Sequence, residues 1–155
     1  MKLKLFLPLT AIIVFVLLLQ SCTPENEYGS ITSSTAGSAE SHNMGQNCMA
    51  CHKPGGGEAP VWNVAGTVYN ETLTATYSNA KVNLFTGPNG TGTLKYSIAV
   101  DALGNFFTSS KIDFTGGLYP SVTGSTSTNS MSTPITNGSC FSCHDGVSRN
   151  RVWTK

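Results

Sequence analysis

The 155-residue sequence predicts a mainly β protein, a small antiparallel β-sandwich flanked by two short helical segments. Between residues 61 and 123, runs rich in Val, Ile, Thr, Tyr and Phe recur about every ten residues with Gly, Pro, Asn or Asp between them, the pattern of short strands and tight turns. Apolar side chains alternate at Val82 and Leu84 and again at Leu94, Tyr96, Ile98 and Val100, which turns one face of each strand inward. The same pentapeptide borders this block on both sides, as Cys48-Met49-Ala50-Cys51-His52 and Cys140-Phe141-Ser142-Cys143-His144.

In chain order, residues 1–21 come first. Lys2 and Lys4 precede an apolar run over 5–19, broken only by Pro8 and Thr10, which leads to Leu19-Gln20-Ser21-Cys22. A basic start, an apolar middle and a small residue before the cut mark a secretory signal peptide. The run is shorter than the ~20 residues that span a bilayer, so cleavage is expected rather than a transmembrane anchor. A cysteine directly after the cut resembles the bacterial lipoprotein signal. That resemblance implies lipidation of Cys22 and a protein anchored by lipid in the cell envelope, on the outer membrane and facing the periplasm or the surface. Residues 22–41 are polar and small with no apolar period, which predicts a flexible tether.

Residues 42–60 hold the first pentapeptide. Two cysteines three apart, with a histidine four from the first, lie on one face of a single helical turn. Such a turn can hold a haem through two thioethers and present an imidazole to its iron, and this five-residue pattern is the attachment signature of c-type haem. Cys48, Cys51, Cys140 and Cys143 are the expected thioether residues, with His52 and His144 as proximal ligands of two covalently bound haems c. The alternatives are two disulfides or a four-cysteine zinc site. A zinc ribbon separates its pairs by about 15–20 residues, whereas a whole domain lies between these two, and zinc would leave both histidines without a role. Asn47 is placed to cap the first turn. Lys53-Pro54-Gly55-Gly56-Gly57 ends any helix and makes a loop that either folds over a haem edge or merely connects.

The sandwich is expected over 61–123, with strands at 61–69, 73–77, 81–85, 94–100, 105–109 and 118–123. Gly87-Pro88-Asn89-Gly90 and Asp101-Ala102-Leu103-Gly104-Asn105 supply turn chemistry. Val64-Ala65-Gly66-Thr67-Val68-Tyr69, Ala80-Lys81-Val82-Asn83-Leu84 and Asp101-Ala102-Leu103-Gly104-Asn105-Phe106 together resemble the carboxypeptidase regulatory-like, transthyretin-related β-sandwich. That resemblance covers roughly sixty residues and implies a fold, not a chemistry. Residues 124–155 read as a Ser/Thr-rich linker and the second haem-binding segment, with Ser139 as a cap. Trp153 is a candidate to pack on a porphyrin, and Arg149 or Arg151 to pair with a propionate; the plainer reading is a polar C-terminus with one buried indole.

Of five cysteines, one would take lipid and four would take haem, which leaves none over. Of nine Lys and Arg, Lys2 and Lys4 fall in the leader, so seven basic residues face eight acidic ones in the mature chain. That balance makes nucleic acid an unsuitable partner. With three histidines in the chain, His42 is the one outside the motifs. The candidate distal ligands are therefore Met131, Met44 and His42, and a crossed arrangement is expected: Met131 on the first iron, Met44 or His42 on the second. The motifs are similar to those of c-type cytochromes, which implies electron transfer between redox partner proteins and a carrier rather than an enzyme. The rival readings are a haem enzyme or small-ligand sensor with an open iron, and a haem-braced structural or surface-interaction protein.

Overall fold

The computed structural model describes residues 33–155. The leader, the expected lipidation site Cys22 and most of the expected tether lie outside the described residues. Among the described residues, no helix is long and apolar enough to cross a membrane.

The chain is mainly β, in two sheets. Strands β1 (Val64–Thr67), β4 (Asn105–Thr108) and β7 (Gly138–Ser139) form one sheet in the order β4-β1-β7. Strands β2 (Lys81–Phe85), β3 (Leu94–Ala99), β5 (Tyr119–Thr123) and β6 (Thr128–Ser130) form the other, in the order β3-β2-β5-β6. Strand β2 falls where alternation placed it, with Val82 and Leu84 buried and Lys81 exposed. One core draws Val64 and Phe106 from the first sheet and Val82, Leu84, Ile98 and Val122 from the second. Burial of each such side chain stabilises by about 1.5–3 kcal/mol before conformational entropy is subtracted.

Four expectations are corrected. The expected strand at 73–77 is absent: Leu73 has φ +60, and the Asn70 side chain accepts from the Thr74 and Ala75 amides to make a turn. The sheets are not purely antiparallel, because β7 runs parallel to β1 and pairs Val64 with Gly138. The supposed linker contains β6, paired antiparallel to β5. The expected helical haem-attachment segments are single three-residue 3₁₀ turns, Cys48–Ala50 and Cys140–Ser142, and neither Asn47 nor Ser139 caps its turn with a side-chain hydrogen bond.

Residues 33–41, expected at the end of the tether, lie along the sheets. Ser34 is buried; its Oγ donates to the Ala99 carbonyl at 2.6 Å and accepts from the Phe107 amide at 3.0 Å. It thereby links β3 of one sheet to β4 of the other.

Candidate haem-attachment site

The two pentapeptides adopt the same local conformation. In each, the amide of the second cysteine donates to the carbonyl of the first at 3.3 Å, and the histidine amide donates to that same carbonyl, at 3.0 Å for His52 and 2.9 Å for His144. The second cysteines have matching backbones, with φ −103, ψ −41 at Cys51 and φ −116, ψ −37 at Cys143. All four thiols are free.

Both histidines are oriented through Nδ1 by a backbone carbonyl. His52 meets Pro60 O at 2.8 Å, because the proline- and glycine-containing loop after it turns back. His144 meets Asn150 O at 2.6 Å. The return at the second site is built by Asp145, whose Oδ1 accepts from the Val147 and Ser148 amides at 2.8 and 2.6 Å, and by the Gly146 amide donating to Arg149 O. These backbone donors hold the Asp145 carboxyl below the usual carboxylate range. A carbonyl on Nδ1 fixes the tautomer that leaves a lone pair on Nε2 for a metal.

Among the described residues, two buried side-chain polar atoms have no hydrogen-bond partner: His144 Nε2, in the second pentapeptide, and Trp62 Nε1, on the ring that stacks against His52. An unpaired buried polar group costs about 1–3 kcal/mol, so native structures rarely leave one without a purpose. His144 opens onto a groove of about 600 Å³. Cys140, Cys143, Met131, Arg149, Arg151 and Trp153 also line it, and Val82, Phe106 and Val122 bring it down to the core.

At the first site His52 is buried, and its ring stacks on Trp62 with centroids 3.4 Å apart and planes 4° apart. Trp62 stacks in turn on Phe107 at 4.2 Å. Burial lowers the pKa of His52, the Pro60 carbonyl opposes that shift, and the neighbouring His42 adds to it, so the imidazole is neutral at physiological pH. Burial raises the Cys48 thiol. It pushes Cys140 up to about 12, with smaller contributions from Cys48 and Cys143. Both thiols are protonated at neutral pH, the unreactive state of a cysteine in apolar surroundings.

The two segments meet across β1. Gly66, in the middle of that strand, leaves room for the second turn: a Cβ there would lie 2.7 Å from the Phe106 ring and 3.1 Å from Cys140 Cβ. Gly45 and Gln46 share a small cleft with Cys140, Phe141 and His144. Arg151 closes it, with Nη1 donating to Tyr69 Oη at 2.5 Å and, at 3.5 Å, to Gly45 O, and its guanidinium 4.7 Å from the centre of the Tyr69 ring. Arg149 is exposed at the groove.

The expected crossing has Met131 on the first iron; in the structure Met131 stands beside the second motif and His42 beside the first. Met131 lines the groove of the second motif, and its backbone is fixed by its own amide to Pro120 O and by the Asn89 amide to its carbonyl, so the segment is not free to travel. His42 lies by the first motif, its ring centre 5.9 Å from that of His52. Met44 is exposed. Among the described residues no three of His, Cys, Asp and Glu converge to hold a metal ion, so a four-cysteine zinc site is not assembled. A haem iron takes its equatorial ligands from the porphyrin and needs only one or two side chains.

Sequence reasoning missed Trp62 and the carbonyls of Pro60 and Asn150. The spacing of Trp62 from His52 across a Pro/Gly loop was the one available signal. Comparison with protein-family models, with curated proteins and with solved structures finds no match to this chain.

Proposed function

We propose that this chain is an exported di-haem c-type cytochrome that passes electrons between redox partner proteins, anchored to the bacterial envelope through lipid on Cys22. The observation that carries the reading is His144: its Nδ1 is held by Asn150 O, its buried Nε2 has no partner, and the residue lines a groove together with Cys140 and Cys143. The same turn and the same carbonyl device recur at His52. Cys48, Cys51, Cys140 and Cys143 would hold the two groups and His52 and His144 would ligate them. A haem held there would supply one-electron chemistry between the ferric and ferrous states.

The chain's own residues do the rest. Met131, which lines the same groove as His144, would be the candidate there for a further ligand to the iron. Arg149 and the Trp62 indole N–H are donors suited to propionate carboxylates. The two sheets around one core are read as a β-sandwich of the carboxypeptidase regulatory-like, transthyretin-related kind, which gives the redox groups a rigid frame.

Expression with a haem-attachment system, followed by intact mass and a pyridine haemochrome spectrum, tests the reading. Two covalently retained haems per chain are expected. A chain carrying only free thiols or disulfides after such expression overturns it. An unchanged reduced spectrum under carbon monoxide is expected of a carrier with both irons six-coordinate; a shifted one would favour the ligand-binding alternative.

A further inference from the structure

We infer that the two irons are inequivalent, with His42 as the second axial ligand of the first and no histidine available to the second. This rests on the di-haem reading above. With metal–imidazole bonds of about 2.0–2.1 Å, and a ring nitrogen a little over 1 Å from the ring centre, two imidazoles on opposite sides of one metal have centres roughly 6 Å apart. The His42 and His52 ring centres are 5.9 Å apart, with planes 34° apart. His42 is exposed, so its ring is open to a group bound beside His52.

The backbone that carries His42 is built into the fold. Asn105, buried on β4, donates from Nδ2 to Ser41 Oγ at 2.9 Å and to His42 O at 3.1 Å. Its Oδ1 accepts from Thr67 Oγ1 at 2.6 Å, and Thr67 Oγ1 accepts in turn from the Gly45 amide at 2.9 Å. Two strand residues of one sheet thus grip the loop on either side of Asn43 and Met44. Thr67 and Asn105 are positioning residues, which act by setting where His42 stands.

The second groove holds Met131 and His144. Methionine raises the potential of a haem relative to a second histidine, so the first iron is the stronger reductant and the second the stronger oxidant. Electrons arriving at the first site would run downhill to the second.

Near-infrared magnetic circular dichroism of the oxidised, haem-loaded full chain tests the inference. The wild-type protein is expected to show the bis-imidazole charge-transfer band from one of its two haems. His42→Ala should abolish that band while intact mass still reports two haems, and added imidazole should restore it. Thr67→Val should weaken it and Thr67→Ser should keep it. A wild-type protein with two haems but no bis-imidazole band overturns the inference, as does a His42→Ala protein whose band is unchanged. A chain that retains no covalent haem instead overturns the functional reading itself, and the mass measurement alone reports that.

Discussion

Single residues decide how closely the two motif segments approach. Gly66 is the clearest: any side chain there strikes the Phe106 ring and Cys140 Cβ from inside the first sheet. Overpacking of this kind costs about 1–3 kcal/mol. Gly66→Val is therefore expected to push the Cys140 turn off β1 and to lower haem retention at the second motif, leaving the first loaded; peptide mapping of the attached haems reads this directly, and equal loading of both would refute it. Asn105 makes a second case. Its amide joins Ser41, His42 and Thr67, so Asn105→Ala leaves the Thr67 hydroxyl without an acceptor and the 41–45 loop without its grip. The expected loss is about 1–3 kcal/mol in urea unfolding, the cost of a buried polar group left unmatched. At this scale the repeated pentapeptide was legible in the sequence, and its two copies take the same turn because their spacing is the same. The sequence was silent on Pro60 and Asn150, because a carbonyl that orients an imidazole can come from any residue type.

At the scale of elements, pattern was readable wherever a strand has one apolar face. Strand β2 alternates and was bounded correctly at 81–85. Strands β6 and β7 are short and made of Thr, Asn, Ser and Gly, so backbone pairing alone defines them and no hydrophobic period announces them. The parallel strand β7 matters most, since it delivers the chain directly into Cys140–Ser142 and docks that turn on β1. The segment at 33–41 has the composition of a tether yet contributes Ser34, which joins the two sheets through Ala99 O and the Phe107 amide. Ser34→Ala should cost about 1–3 kcal/mol and speed hydrogen exchange at the Phe107 amide more than at amides of β5. Exchange at Phe107 that matches the wild type would show that the segment does not fasten the sheets.

For the molecule as a whole, the groove beside His144 joins the core to the chemistry. Val82, Phe106 and Val122 are buried core residues and also line that groove, so whatever fills it packs directly on the residues that hold the two sheets together. A porphyrin is a large apolar plate, and seating one there removes from water the surface that the groove leaves open, at about 25 cal/mol for each Å². A small domain gains disproportionately from such a graft, because its own core buries little surface. On the di-haem reading, haem and fold would be coupled, more strongly at the second motif, which lines this groove, than at the first, which contacts the sheet through Trp62 on Phe107. Replacing Cys140 and Cys143 by Ala should lower the melting temperature by at least about 5 °C, and replacing Cys48 and Cys51 by less. Scanning calorimetry of the two variants and the wild type, each with its haem content measured by mass, gives the comparison. Equal melting temperatures for all three proteins would mean that the sheets stand independently of what the groove holds, and the coupling would fall with them.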